Sequence, residues 1–142
     1  MKIRNLMLVF LIFFISASCE KGENELERDY IKSVINNLTL SETVKWMVIL
    51  PGMGCHGCIQ EGEVFMKDYI NKSDIYFVLT KIESLKILQQ KIDVELKEHS
   101  NVYIDNKVGF KIPTKNSVYP CVVYLNNAKI ESHELQKNYA NS

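Results

Sequence analysis

Two of the four cysteines have a spacing suited to redox chemistry. Cys55 and Cys58 enclose a His-Gly dipeptide, after an apolar run that ends at Leu50 and at the start of a helical pattern. In the first turn of a helix, residues three apart share a face, so the two sulfurs can reach disulfide distance. The unpaired N–H groups of the helix N-terminus favour a thiolate at Cys55. Because the thiolate is the attacking species in disulfide exchange, we expect Cys55 to be the nucleophile and Cys58 to resolve the mixed disulfide.

The same pair permits two other interpretations, a permanent structural disulfide and a metal-binding pair. Zinc needs about four ligands, and there is no second C-x-x-C, so Cys121 or a histidine would have to complete the site. Attachment of a c-type haem requires His directly after the second Cys, where Ile59 stands. We therefore expect exchange chemistry with no metal and no cofactor. His99 and His133 lie near the ends of predicted elements, where we expect surface positions.

Hydrophobic periodicity predicts the elements that position the pair. Amphipathic patterns predict three helices, at Glu25–Leu38, Cys55–Asn71 and Ser84–Glu98, and a short last helix at Glu134–Ala140. Apolar runs predict buried strands at Val44–Leu50, Ile75–Thr80 and Cys121–Leu125, and a short strand at Asn101–Asp105. A turn at Asn126–Asn127 predicts a hairpin into an edge strand at Ala128–Ser132.

The order of these elements predicts an α/β domain. Strands and helices alternate in the first part of the chain, as parallel βαβ units require, whereas the final hairpin must be antiparallel. The three most apolar strands have the composition of strands that are covered on both sides. We therefore expect a mixed central β-sheet flanked by helices on both faces.

Two segments of the chain resemble the thioredoxin-like superfamily. The first is the strand, turn, C-x-x-C and helix around Cys55, and the second is a proline-led apolar strand, Tyr119-Pro120-Cys121-Val122-Val123-Tyr124-Leu125. The resemblance covers 44–131, and the chain is similar to the larger membrane-tethered thiol–disulfide oxidoreductases of bacteria. It implies a thioredoxin-like fold and disulfide exchange with protein substrates.

The resemblance also implies substrate-binding roles for His56, Gly57, Tyr119 and Pro120. Thioredoxin-like proteins carry a cis proline beside the C-x-x-C, and the residue before it presents its backbone to the substrate. Pro120 corresponds to that proline, because a buried strand follows it. Pro113 is the alternative, although a polar segment follows it.

The sequence departs from thioredoxin near the pair. Gly54 stands where thioredoxin has Trp, the enclosed dipeptide is His-Gly instead of Gly-Pro, and the strand before the pair lacks a buried Asp. These departures leave open whether the protein reduces, oxidises or isomerises disulfides. Cys121 is either a small buried strand residue or an accessory thiol beside the pair.

The N-terminus has the pattern of an export signal. Lys2 and Arg4 precede the apolar run Leu6–Ile15, which is too short for a transmembrane helix of about 20 residues. Small residues and then Cys19 follow, which resembles a bacterial lipoprotein signal with Cys19 as the lipidated residue. An ordinary cleaved signal or an uncleaved anchor are the alternatives. The predicted organisation is a signal peptide (1–18), a tether (19–24) and one thioredoxin-like domain (25–142).

Composition and export together limit the classes of partner. Lys and Arg total 17 and Asp and Glu total 17. Because the chain has no excess of positive charge, nucleic acid is a poor candidate for its partner. We expect export to place the cysteine pair in an oxidising environment. The expected location of the protein is the cell envelope, as a periplasm-facing or outer-membrane lipoprotein of a bacterium. We expect exported thiol- or disulfide-containing proteins and a membrane redox partner. The alternatives are a non-catalytic thioredoxin-fold lipoprotein for binding or assembly, and a metal chaperone.

Overall fold

The computed structural model describes residues 21–137. Its helices are α1 (Glu23–Ile35), α2 (His56–Tyr69) and α3 (Leu85–Ile92), with 3-10 turns at Leu96–Glu98 and Lys115–Val118. Its strands are β1 (Trp46–Pro51), β2 (Ile75–Thr80), β3 (Val102–Asp105), β4 (Cys121–Asn126) and β5 (Lys129–Leu135). The predicted signal peptide and Cys19 lie outside the described residues. Within 21–137, no helix has the length and apolar character needed to cross a membrane.

The five strands form one mixed sheet in the order β3-β2-β1-β4-β5. The strands β1, β2 and β3 are parallel, and β4 and β5 join the other edge in antiparallel orientation. This is the strand order of a thioredoxin-like fold, with the C-x-x-C at the junction between β1 and α2. The predicted α/β fold class is confirmed.

The sheet has a hydrophobic core on each face. Side chains alternate along a strand, so Met47 and Ile49 of β1 pack on the α1 side, while Val48 and Leu50 pack on the side of α2 and α3. Both sets are at most 4% exposed. The expectation of helices on both faces is therefore confirmed.

The third predicted helix is shorter than its pattern suggested. It begins after Ser84, whose side chain accepts a hydrogen bond from the Ile87 N–H, and it ends at Ile92. Asp93 adopts a left-handed conformation with φ 57°, which terminates the helix in the way a C-terminal Gly or Asn often does. The apolar pattern continues beyond this break because Leu96 packs into the same core from a separate 3-10 turn.

The predicted last helix at Glu134–Ala140 is wrong in its described part. β5 continues past Ser132 to Leu135, because residues 132–135 pair in register with residues 121–124 of β4. The hairpin turn is centred on Asn127 and Ala128, which both have positive φ, one residue later than predicted. Two successive residues with positive φ match the twist of the flanking strands in a tight hairpin. The strand brings the chain back to the end of the sheet where the cysteine pair lies, since Leu135 is the register partner of Cys121.

Candidate functional site

Cys55 and Cys58 form a disulfide at the N-terminus of α2. Cys55 is the N-cap residue with extended backbone, and Cys58 lies in the first turn, with 5.3 Å between their Cα atoms. The strand β1 ends at Pro51, so a short turn delivers Cys55 to the helix start. The predicted location of the pair, at the junction of a buried strand and a helix, is confirmed.

The two cysteines differ in accessibility. Cys55 is half-buried, whereas Cys58 is 4% exposed. An external thiol therefore has more access to Cys55, and access is a condition for attack on a disulfide sulfur. The first turn of α2 has no acidic residue, and no side chain caps its N-terminus. The positive end of the helix dipole is consequently available to a thiolate at Cys55 in the reduced form.

A later segment of the chain packs against the turn before Cys55. The Cys55 N–H donates a hydrogen bond of 2.9 Å to the Val118 carbonyl oxygen. Gly54 has φ +143°, and a Cβ built on it would lie 2.4 Å from the same oxygen. Only glycine accommodates both this backbone conformation and this approach. The Gly that stands here in place of Trp is thus a packing requirement of this chain.

A groove of about 230 Å³ opens beside Cys58. It runs between α2 and β4 and is lined by Val48, Cys58, Glu61, Gly62, Phe65, Pro120, Val122 and Gln136. Apolar side chains form most of this lining, and the ring of Phe65 stacks on Tyr69 with 4.5 Å between centroids. The groove offers an apolar surface directly next to the disulfide.

The proline that the resemblance implied lines this groove, and the implied tyrosine is the residue before it. Pro120 is buried and lines the groove, and Tyr119 is half-buried between Pro120 and Val118. The Tyr119–Pro120 peptide is trans, because residues 21–137 contain no cis peptide bond, so the expected cis proline is wrong. Trans is the lower-energy isomer of an X–Pro bond by about 0.5–1 kcal/mol. Pro113 is exposed and does not precede a strand.

The two residues enclosed by the cysteines lie on the exposed rim of the site. His56 is exposed, and its Nε2 atom lies 3.0 Å from Nε2 of Gln60. Gly57 is exposed, and a Cβ added to it would meet no atom within 4 Å. Both residues are therefore accessible to a docking partner, and neither supports the disulfide by packing.

Cys121 is a free cysteine in the core, on the opposite face of the sheet from the groove. It is 0% exposed and packs in the cluster that includes α1. Burial, together with the negative charge of Glu27, raises the pKa of its thiol to about 12. A buried, protonated thiol is a poor nucleophile, so this position favours the small strand residue over the accessory thiol.

Sequence reasoning missed a buried polar cluster formed by Glu27, Thr114, Asn116 and His133. Thr114 Oγ1 donates to Glu27 Oε1, Asn116 Nδ2 donates to the same oxygen at 2.6 Å, and His133 Nε2 donates to Oε2 at 3.2 Å. His133 is buried, so its expected surface position is wrong. Burial alone would raise the pKa of Glu27, but these hydrogen bonds outweigh it and lower the pKa. Nothing in the sequence around Glu27 indicated that this polar residue of α1 would be buried.

Across residues 21–137, no group of three or more His, Cys, Asp or Glu side chains is arranged to hold a metal ion. Comparison with known proteins gave no match to a family model, to a curated protein or to a solved structure. The fold and the geometry around the disulfide therefore carry the functional argument.

Proposed function

We propose that this protein is an exported, lipid-anchored thiol–disulfide oxidoreductase that exchanges disulfides with exported proteins. The observation that carries the proposal is the Cys55–Cys58 disulfide at the N-terminus of α2, directly after the central strand β1 of a thioredoxin-like sheet. The half-buried Cys55 and the apolar groove beside Cys58 support it. A purely structural disulfide would need neither an accessible cysteine nor an adjoining groove.

In the proposed reaction, the reduced protein attacks a substrate disulfide. The Cys55 thiolate forms a bond to one substrate sulfur, and the other substrate sulfur leaves as a thiolate. The Cys58 thiolate then attacks the Cys55 sulfur, which releases the second substrate thiolate and forms the Cys55–Cys58 disulfide. Two electrons pass from the protein to the substrate, and the reverse sequence oxidises a substrate dithiol.

The surroundings of the pair have separate roles in this proposal. The groove at Pro120 and Val122 receives an apolar side chain of the substrate next to the reacting sulfurs. Tyr119 presents backbone to the substrate, and His56 and Gly57 contact it at the rim. A membrane redox partner resets the pair after each turnover.

The reduction potential of the pair tests this proposal. The full-length protein in detergent is equilibrated in glutathione buffers, and the thiols are then trapped by alkylation. A potential between about −120 and −270 mV is expected, because exchange catalysts fall in this range. A potential below about −300 mV with slow exchange would instead indicate a structural disulfide and a binding or assembly protein.

Two variants connect the activity to the nucleophile. Cys55→Ser should abolish insulin reduction, because it removes the attacking sulfur. Cys121→Ala is the matched control, since it removes a cysteine that lies buried on the other face of the sheet. Unchanged activity in Cys55→Ser would contradict the assignment of the nucleophile.

The proposed location in the cell envelope depends on Cys19 as the lipidated residue. Replacing Cys19 by Ala should prevent lipidation and change how the protein fractionates with membranes. Membrane association that is the same in this variant and the wild type would favour an uncleaved anchor over a lipoprotein.

A further inference from the structure

The carboxylate of Glu27 is buried, which costs free energy, and it is surrounded by polar side chains that hydrogen-bond to it. Glu27 is 1% exposed, and its two oxygens accept hydrogen bonds from three side chains, Thr114, Asn116 and His133. A buried carboxylate without such partners would be strongly unfavourable. Two of the three donors, Thr114 and Asn116, belong to one short segment between β3 and β4. The carboxylate therefore fixes α1 to that segment.

The segment anchored by Glu27 is the one that contacts the redox pair. The Asn116 carbonyl accepts a bond of 3.0 Å from the Tyr119 N–H, which closes a tight turn around Val118. The Val118 carbonyl in turn accepts the hydrogen bond from Cys55. Pro120, immediately after this turn, lines the groove beside Cys58. Asn116 is only two residues before Val118, whose carbonyl oxygen holds the Cys55 backbone. A shift of Asn116 is therefore expected to move that carbonyl.

From these contacts we infer that Glu27 is a positioning residue for Cys55, an inference that rests on the proposed function. Glu27 holds Thr114 and Asn116, their turn holds the Val118 carbonyl, and that carbonyl keeps Cys55 at the N-cap of α2. Without the carboxylate, the segment that carries the turn loses its two hydrogen bonds from Thr114 and Asn116, and Cys55 is no longer fixed at the positive end of the helix. The thiolate of the reduced protein then loses stabilisation.

The experiment compares Glu27→Ala and Glu27→Gln with the wild type as full-length protein. The readout is the rate at which iodoacetamide alkylates reduced Cys55, measured by mass spectrometry across a pH series at a temperature where each variant is folded. Glu27→Ala should lower the rate at neutral pH at least about fivefold and move the profile to higher pH, since only the thiolate reacts. Glu27→Gln keeps an oxygen for Thr114 and Asn116, so it should recover most of the rate.

Asp105 provides the matched control. It is 5% exposed, and its carboxylate accepts hydrogen bonds from Thr80, Gly109 and Phe110. It belongs to β3, which is separated from β1 by β2. Asp105→Ala should therefore lower the thermal midpoint while leaving the alkylation profile of Cys55 unchanged.

An alkylation profile of folded Glu27→Ala within about twofold of the wild type would overturn the inference and leave Glu27 a purely structural residue. If Glu27→Ala does not fold, Asn116→Ala and Thr114→Val each remove one of its bonds and take the same test. The proposed function is judged separately, from the potential and insulin reduction of the wild type. The inference is judged from the ratio of variant to wild-type rates, so the two can fail independently.

Discussion

Replacing Gly54 by Ala should destabilise the protein by disrupting the contact between Val118 and the turn that precedes Cys55. Gly54 has φ +143°, a conformation that side chains other than glycine rarely adopt. The added Cβ would also lie 2.4 Å from the Val118 carbonyl oxygen and 2.7 Å from its Cα atom. Because these are backbone atoms, the clash is relieved only by moving one of the two segments. The hydrogen bond between Cys55 and Val118 is then lost or weakened.

The magnitude follows from two contributions. A residue forced into a rare backbone conformation costs about 1–3 kcal/mol. Loss of one backbone hydrogen bond adds about 0.5–1.5 kcal/mol. We therefore expect Gly54→Ala to lower the free energy of unfolding by about 2–4 kcal/mol. With a typical urea dependence for a domain of this size, the midpoint of unfolding falls by roughly 1–2 M urea.

Urea denaturation with the disulfide intact measures this effect, and Gly57→Ala is the matched control. Gly57 lies three residues away in α2, where an added Cβ meets nothing within 4 Å. Alanine is favoured over glycine in a helix by up to about 1 kcal/mol, so Gly57→Ala should be neutral or stabilising. Equal stability of Gly54→Ala and the wild type would refute the close packing of this turn on Val118.

Two further predictions concern buried groups. Cys121 is 0% exposed and burial raises the pKa of its thiol to about 12, so alkylating reagents should label it only after unfolding. Native labelling at the rate of a free thiol, detected by mass spectrometry, would contradict its placement. Burial acts to raise the pKa of Glu27, but hydrogen bonds from Thr114, Asn116 and His133 hold it below its ordinary value of 4.5. The carboxylate therefore contributes stability that is present above the unfolded-state pKa and is lost as pH falls through the lower folded-state pKa. In urea denaturation from about pH 6 to about pH 3, the wild type should lose more stability than Glu27→Gln, and parallel losses would contradict this.

Much of the fold follows from local sequence patterns. The apolar run Ile75–Thr80 has the bounds that the pattern predicted, and the alternation of strands and helices predicted the parallel part of the sheet. The predictions of the end of α3 and of the last helix were wrong because backbone conformation and strand pairing set these boundaries. A single left-handed residue, Asp93, ends α3, and the polar residues of β5 are held in the strand by pairing with β4. Neither effect has a signature in hydrophobic periodicity.

The cysteine pair was predictable, whereas the contacts that position it were not. The spacing of Cys55 and Cys58 and the apolar run before them are sufficient to place a disulfide at a helix N-terminus. The partners of Glu27, by contrast, lie 87, 89 and 106 residues away in the sequence. A glutamate in an amphipathic helix normally belongs to the solvated face, and only the tertiary structure shows that this one does not.

Gly54 and Glu27 act on the same turn from opposite sides. Gly54 allows the turn before Cys55 to approach Val118, and Glu27, on the α1 side of the sheet, holds the turn that carries Val118. The position of Cys55 therefore depends on three separate parts of the chain, namely the β1–α2 junction, the segment before β4 and the N-terminal helix. A C-x-x-C supplies the sulfurs, but the place of Cys55 on the helix N-terminus is a property of the whole sheet and the elements packed on both of its faces.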